Sequence, residues 1–239
     1  MSRVAIVVVS LGDRPWWPIA LRWLEHYCLK CSYDLVVVRQ PLVAHLRPAD
    51  FDRFQNFGRT QKLGIRCFFD IYDRVIQVDD TCMISPTTPP LADIVPEDAI
   101  GCWVAGPGNA KFASYIPKHK EIYGRATPLP ATSFYNSGLS VYSKNHASLF
   151  EQASIPWDKI RSDHWFPTQG YLSDRAEQEG IALHDLGSAF NLIGSRILSD
   201  PSIQSESVFI YHLTSALRDR LGMAVKIDSV FREKAPLRF

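Results

Sequence analysis

The sequence has almost no surplus charge of either sign. Its 239 residues carry 26 Lys and Arg against 25 Asp and Glu. A strongly basic nucleic-acid surface is not indicated, and no nucleic-acid partner is expected. Long apolar runs are also missing. None approaches the length of a membrane span, so no transmembrane segment is expected. The opening "MSRVAIVVVSLGD" has too short an apolar stretch, and no small-residue cleavage site, for a signal peptide. A cytoplasmic location is the default expectation. Cysteine is sparse and odd in number: Cys28, Cys31, Cys67, Cys82 and Cys102. An odd count argues against a disulfide framework. The pair in "YCLKC" has no second CxxC or HxxxH to complete a structural zinc site, and reads as two thiols at a helix end. Repeats, low-complexity tracts and a clear linker are absent as well.

What is present is a chain that is 46% hydrophobic, enough for a sizeable core. Arg3–Val9 is a valine-rich run, as expected of a parallel strand buried on both faces. "SLGDRP" breaks it, and Asp13 with Pro15 suits a helix start. Trp16, Ile19, Ala20, Trp23, Leu24 and Tyr27 then recur at helical spacing to about Leu29. Asp34–Arg39 is a second buried strand, so the chain opens β-α-β. A loop over 40–57, a helix over Gly58–Asp70 and a third strand, "YDRVIQV", follow. "SPTTPPLADIVP" holds four of the 16 prolines and reads as a structured connector. Further strands are expected at Ile100–Ala105, Phe134–Tyr142 and Val208–His212, with helices near His146–Ala153 and Tyr171–Glu179. The expected fold class is α/β, in one domain over residues 1–239. Its nucleotide-binding half spans residues 1–105 and its acceptor-side half 106–239.

The third strand runs into two adjacent carboxylates, Asp79 and Asp80. In open α/β sheets, ligands bind at the carboxyl ends of strands. Two carboxylates with a hard divalent cation can hold a diphosphate, and His212 at another strand end would favour Mn²⁺ over Mg²⁺. Alone, each reads as a turn residue or a satisfied histidine. Arg59 and Lys62 lie three apart, sharing a helical face that would meet a diphosphate, pin the acidic pair or face solvent. Asp13 in "SLGDRPWW" would accept from a nucleoside or open the helix. Trp16 and Trp17 would stack on a base or sugar, at least one of them being core. "GNAKFASYIPKHKEIYG" reads as an acceptor-side loop or a plain surface excursion.

The order of these motifs resembles a family. The paired Asp, then "ISPTTPPLADIVP", "FYNSGLSVY", "TQGYLSD", "FN" and "YHLTSALR" look like retaining glycosyltransferases of the glycogenin and LPS-galactosyltransferase type, glycosyltransferase family 8. The resemblance spans roughly Val4 to Arg218. It implies a GT-A fold with a single Rossmann-like mixed sheet flanked by helices. It implies retaining, metal-dependent transfer from a nucleotide sugar, UDP-glucose or UDP-galactose, to a hydroxyl of a saccharide or other acceptor. Residue by residue, Asp79, Asp80 and His212 stand at the Mn²⁺ ligands, with Mg²⁺ as the alternative ion. Lys62, Asn136, Ser137 and Gly138 line the donor site, glycine allowing close backbone approach. Gln169 lies under the anomeric carbon, with Asp80 beside it in the catalytic set. Arg218 takes the place of a phosphate-binding lysine. The family's Asp-x-Asp is Asp-Asp here. Either Thr81 replaces the second Asp or Val78 the first, and "DDTCMI" beside the family's "DADTLV" favours the latter. Thr168 replaces the Asp before Gln169, with Asp163 five residues upstream of it. Two other readings stand beside transfer: a sugar-nucleotide-binding protein with weak or lost catalysis, and a nucleotidyltransferase. The latter usually has a Gly-rich phosphate loop, and "SLGDRPWW" holds one glycine.

Overall fold

The computed structural model describes residues 2–51, 54–105, 110–124, 134–163, 166–194, 208–214 and 219–235. The valine-rich runs form β1 (Val4–Val9) and β2 (Asp34–Val38), joined by helix α1 (Trp17–Cys31). Strand β3 (Arg74–Asp79) pairs parallel to β1 on its other side, with Val9 opposite Asp79. Then come β5 (Ala99–Ala105), β6 (Phe134–Ser143) and β7 (Ala182–Asp185), labelled after the short β4 (Cys82–Ile84). The main sheet has the order β2-β1-β3-β6-β5-β7. Only β6 runs against the rest, antiparallel to both β3 and β5. The sheet is therefore mixed, and continuous across residue 105. A second sheet is built from β4, β8 (Leu192–Ile193) and β9 (Ile210–His212) in the order β4-β9-β8.

Alternate residues of the central strands feed two cores, as the two-residue period of a strand requires. Ile6, Val8, Ile76 and Val78 pack on one face with α1, the second sheet and the C-terminal helix α7 (Arg220–Lys234; the intervening helices are defined below). Trp23 and Phe231 meet edge-on there, and Asp228 accepts from Arg22 and Trp23 Nε1, joining α7 to α1. Ala5, Val7, Val9 and Val75 pack on the opposite face with Leu63, Phe69, Leu149, Phe150 and Tyr171. Cys28 and Cys31 end α1, one buried and one half-buried, and all five cysteines are free.

Several elements differ from expectation. The expected helix over Gly58–Asp70 is a short α-helix, α2 (Phe54–Thr60), followed by a ten-residue 3-10 helix, Gln61–Asp70. So long a 3-10 run is uncommon. Its glycine, Gly64, lies against Leu42, where a Cβ would come within 2.3 Å of Leu42 Cβ. Helix α3 (Leu91–Ile94) interrupts the proline-rich connector. "GNAKFASYIPKHKEIYG" carries helix α4 (Ala110–Tyr123), with Pro117 inside it, rather than a loop. The His146–Ala153 segment holds two 3-10 turns, Lys144–Phe150 and Gln152–Ser154. After α5 (Trp157–Ser162), helix α6 (Pro167–Gln178) starts four residues before the expected Tyr171. Pro167 fits the first helical turn, where its missing N–H costs no bond. No helix among the described residues is long and apolar enough to cross a membrane.

Candidate functional site

The site lies at the C-terminal edge of β1 and β3. Chain order alone would not bring His212 there. It arrives through the second sheet, whose β4 begins just past the acidic pair and pairs antiparallel with β9, Cys82 opposite His212. His212 Nε2 comes within 3.4 Å of Asp79 Oδ2. The other Asp79 oxygen contacts the Lys62 ammonium. Lys62 is buried and also donates to the Ser137 carbonyl at 3.0 Å. The change from α to 3-10 geometry separates it from Arg59, which is exposed. The two cations therefore do not share a face.

An amide relay holds the imidazole from behind. Asn191 Nδ2 donates to Asn136 Oδ1 at 2.8 Å, which leaves Asn191 Oδ1 to pair with His212 Nδ1 at 2.9 Å. Asn136 Oδ1 also accepts from Gly138 N. The segment 137–139 is where β6 departs from regular pairing with β5, whose register shifts between Cys102 and Trp103. Gly138 sits directly against the His212 ring, and a Cβ there would lie 2.4 Å from Cε1 and Nδ1. Asn136, Ser137, Gly138, Lys62, Asp79 and His212 are thus one connected cluster.

Asp80 belongs to the other side. Residues two apart on an extended chain point the same way; adjacent ones diverge. Asp80 Oδ2 accepts from Ser10 Oγ at 3.3 Å and lies 3.5 Å from Arg14 Nε. Its carbonyl accepts from Trp16 Nε1 at 3.1 Å. Arg220, the first residue of α7, lies over the Trp16 ring at 5.0 Å. Trp17 is the core member of the tryptophan pair. Val78, before the pair, is buried in the core, 1% exposed.

The two carboxylates titrate in opposite directions. Burial pushes the Asp79 carboxyl up, but the Lys62 ammonium and then His212 outweigh it and hold it at about 2. Asp80 is raised, first by burial and then by the charge of Asp79, against the pull of Arg14, Lys62 and Ser10.

A divalent ion was expected on Asp79, Asp80 and His212. Asp79 Oδ2 and His212 Nε2 face each other, but Asp80 turns to Ser10 and Arg14. The second Asp79 oxygen is taken by Lys62. Among the described residues, no group of three His, Cys, Asp or Glu side chains gathers that would hold a metal ion. As arranged, these residues do not make the three-ligand seat.

Gln169 is half-buried in the first turn of α6. That turn is fixed from two sides. Thr168 Oγ1 donates to the Arg59 carbonyl, and Gly170 packs where a Cβ would clash with the Tyr115 hydroxyl and Asp163 Oδ2. Asp163 accepts from the Tyr115 hydroxyl and from Phe166 N. Asp163 is therefore buried under the turn. Asp13 is exposed and lies three residues before the α1 cap, Trp16, so it does not open the helix. Arg218 lies outside the described residues. Ser10, Arg14 and Arg220 join the site without a signal in the sequence that sets them apart. Arg14 stands between the two features that drew attention in "SLGDRPWW", the aspartate and the tryptophans.

No protein-family model matches the sequence, and no curated protein matches it. The fold, however, is similar to solved glycosyltransferases. The galactosyltransferase LgtC, in complex with donor and acceptor sugar analogs, superposes with a TM-score of 0.62 at 14% identity, covering 98% of this chain and 97% of that one. A glycosyltransferase involved in glycosylation of the major capsid of PBCV-1 gives 0.56 at 12% identity over 95% and 99%. Mouse xyloside xylosyltransferase 1, apo form, gives 0.51 at 11% identity over 90% and 99%. The central mixed sheet flanked by helices is the GT-A fold of these glycosyltransferases.

Proposed function

We propose that the protein transfers a sugar from a nucleotide diphosphate sugar, UDP-glucose or UDP-galactose, to an acceptor hydroxyl with retention of configuration. The observation that carries this reading is the connected Lys62–Asp79–His212–Asn191–Asn136 cluster at the strand ends of a GT-A fold. Ligands of open α/β sheets bind at such an edge. A nucleotide sugar becomes an electrophile only when its leaving diphosphate is neutralised. Cations beside the acidic pair take up that charge as the C1–O bond stretches toward an oxocarbenium ion. The acceptor hydroxyl attacks from the face the diphosphate leaves and gives up its proton to the departing phosphate oxygen. The Gln169 amide oxygen stabilises the cation from the opposite face; an amide is too weak a nucleophile for a covalent intermediate.

The test is incubation with UDP-glucose and UDP-galactose, with product analysis. Release of UDP is expected. Formation of pyrophosphate from UTP and a hexose 1-phosphate, with no UDP released from either donor, would mark a nucleotidyltransferase, and UDP binding without release would mark a binding protein. Gln169→Ala is expected to lower turnover about 100-fold, as loss of one transition-state partner does, while UDP binding changes less than about twofold. Equal losses in both would remove Gln169 from the chemistry.

A further inference from the structure

We propose that this site binds the diphosphate of its donor without a divalent cation, with Arg14 and Arg220 supplying the charge that a metal would otherwise bring. The inference rests on the nucleotide-sugar reading above and concerns how that ligand is held. The acidic pair is flanked by cations on both sides. Lys62 contacts Asp79, and Arg14 lies 3.5 Å from Asp80. Arg220 is held near them by two contacts: its guanidinium lies over the Trp16 ring, and its Nε donates to the Thr214 carbonyl at 3.3 Å. Trp16 in turn donates to the Asp80 carbonyl. Burial lowers the proton affinity of Arg220, and Arg14 and Arg59 lower it further, against the pull of Asp80. Arg14, Lys62 and Arg220 thus lie near the two carboxylates and Arg59 lies near Arg220, so the cluster holds four cations against two carboxylates.

That excess matches a diphosphate esterified at both ends, which carries one negative charge on each phosphoryl group. Guanidinium groups suit the task, because their planar donors engage phosphate oxygens in pairs. Arg14 is half-buried, and its contact with Asp80 is a single long one, so a phosphate oxygen can replace the carboxylate at little cost. The acidic pair itself explains why cations were recruited. Spaced as Asp-Asp, it presents Asp79 and Asp80 to opposite sides and gives a metal no third protein ligand among the described residues.

The test is calorimetric titration of the full chain with UDP, in excess EDTA and in MnCl₂. The dissociation constant in EDTA is expected to stay within about threefold of that in MnCl₂. Arg14→Gln and Arg220→Gln are each expected to weaken UDP binding in EDTA at least about tenfold. Arg14→Lys and Arg220→Lys, which keep the charge, should recover part of that loss. Binding seen in MnCl₂ and abolished by EDTA would overturn metal independence and leave the nucleotide-sugar reading standing. Absence of UDP binding in both buffers would sink that reading and the inference with it. Unaltered binding by both glutamine variants would remove the two arginines. If the variants do not fold, the comparison of EDTA with MnCl₂ on the parent protein still decides.

Discussion

Lys62→Met is expected to destabilise the protein by about 2–3 kcal/mol at pH 7 and to lower its Tm by roughly 5–10 °C. The Lys62 side chain is 7% exposed and that of Asp79 21% exposed. Methionine fills the same channel but leaves the carboxylate without its cation and the Ser137 carbonyl without its donor. Removing one partner of a buried pair costs more than the pair is worth, because the remaining charge stays desolvated. The pH dependence follows with a definite sign. Asp79 is held at about 2 in the folded protein, against about 3.9 in an unfolded chain. A depressed carboxyl contributes stability above its unfolded value and loses it as pH falls through its folded value. The gap between parent and variant should therefore be full at pH 7 and close between about pH 4 and pH 2. Urea denaturation at several pH values measures it. A gap that is absent at neutral pH, or that does not shrink on acidification, would show that Lys62 and Asp79 are not coupled as described. Lys62→Met combined with Asp79→Asn should recover most of the lost stability, since neither charge is then stranded.

Gly138→Ala should cost about 1–3 kcal/mol in stability and weaken UDP binding by tenfold or more. The added methyl would sit 2.4 Å from two atoms of the His212 ring and 3.1 Å from Asn136 Oδ1. The ring has little room to retreat, because Asn191 Oδ1 pairs with its Nδ1 and the residue is buried. The methyl must push either the imidazole or the β6 segment 137–139, and both line the site. The penalty is one of space and not of backbone conformation. Calorimetry with UDP and a thermal melt would measure the two effects. A Gly138→Ala protein that binds UDP within about twofold of the parent would show that His212 has no part in the site.

The first half of the fold was legible because its signals are local. Valine runs buried on both faces and the helical spacing of Trp16 to Tyr27 mark β1, α1 and β2 directly. The position of β6 between β3 and β5 has no local signal, since strand order is set by long-range pairing. The same holds for His212. Its place beside Asp79 depends on Cys82 pairing with it across the second sheet, and β4 has only three residues to announce itself. Lys62 was found, but its orientation was not. α-Helical spacing does not hold in a segment that turns as a 3-10 helix, and Gly64 against Leu42 is a tertiary contact. The acidic pair is the instructive case. Which way each residue faces is not in the letters: the alternation of an extended strand sends Val78 into the core and Asp79 toward the imidazole. The cations of Arg14 and Arg220 escaped notice because charge at loop positions is ordinary until the fold brings it together.

The most direct test of the account is a crystal of this protein soaked with UDP in the absence of added metal. The diphosphate is expected at the C-terminal edge of β1 and β3, between Lys62 and the Arg14–Arg220 pair, with His212 and Gly138 below the phosphate that would carry the sugar. UDP bound at another face, or no UDP at millimolar concentration with or without Mn²⁺, would contradict it.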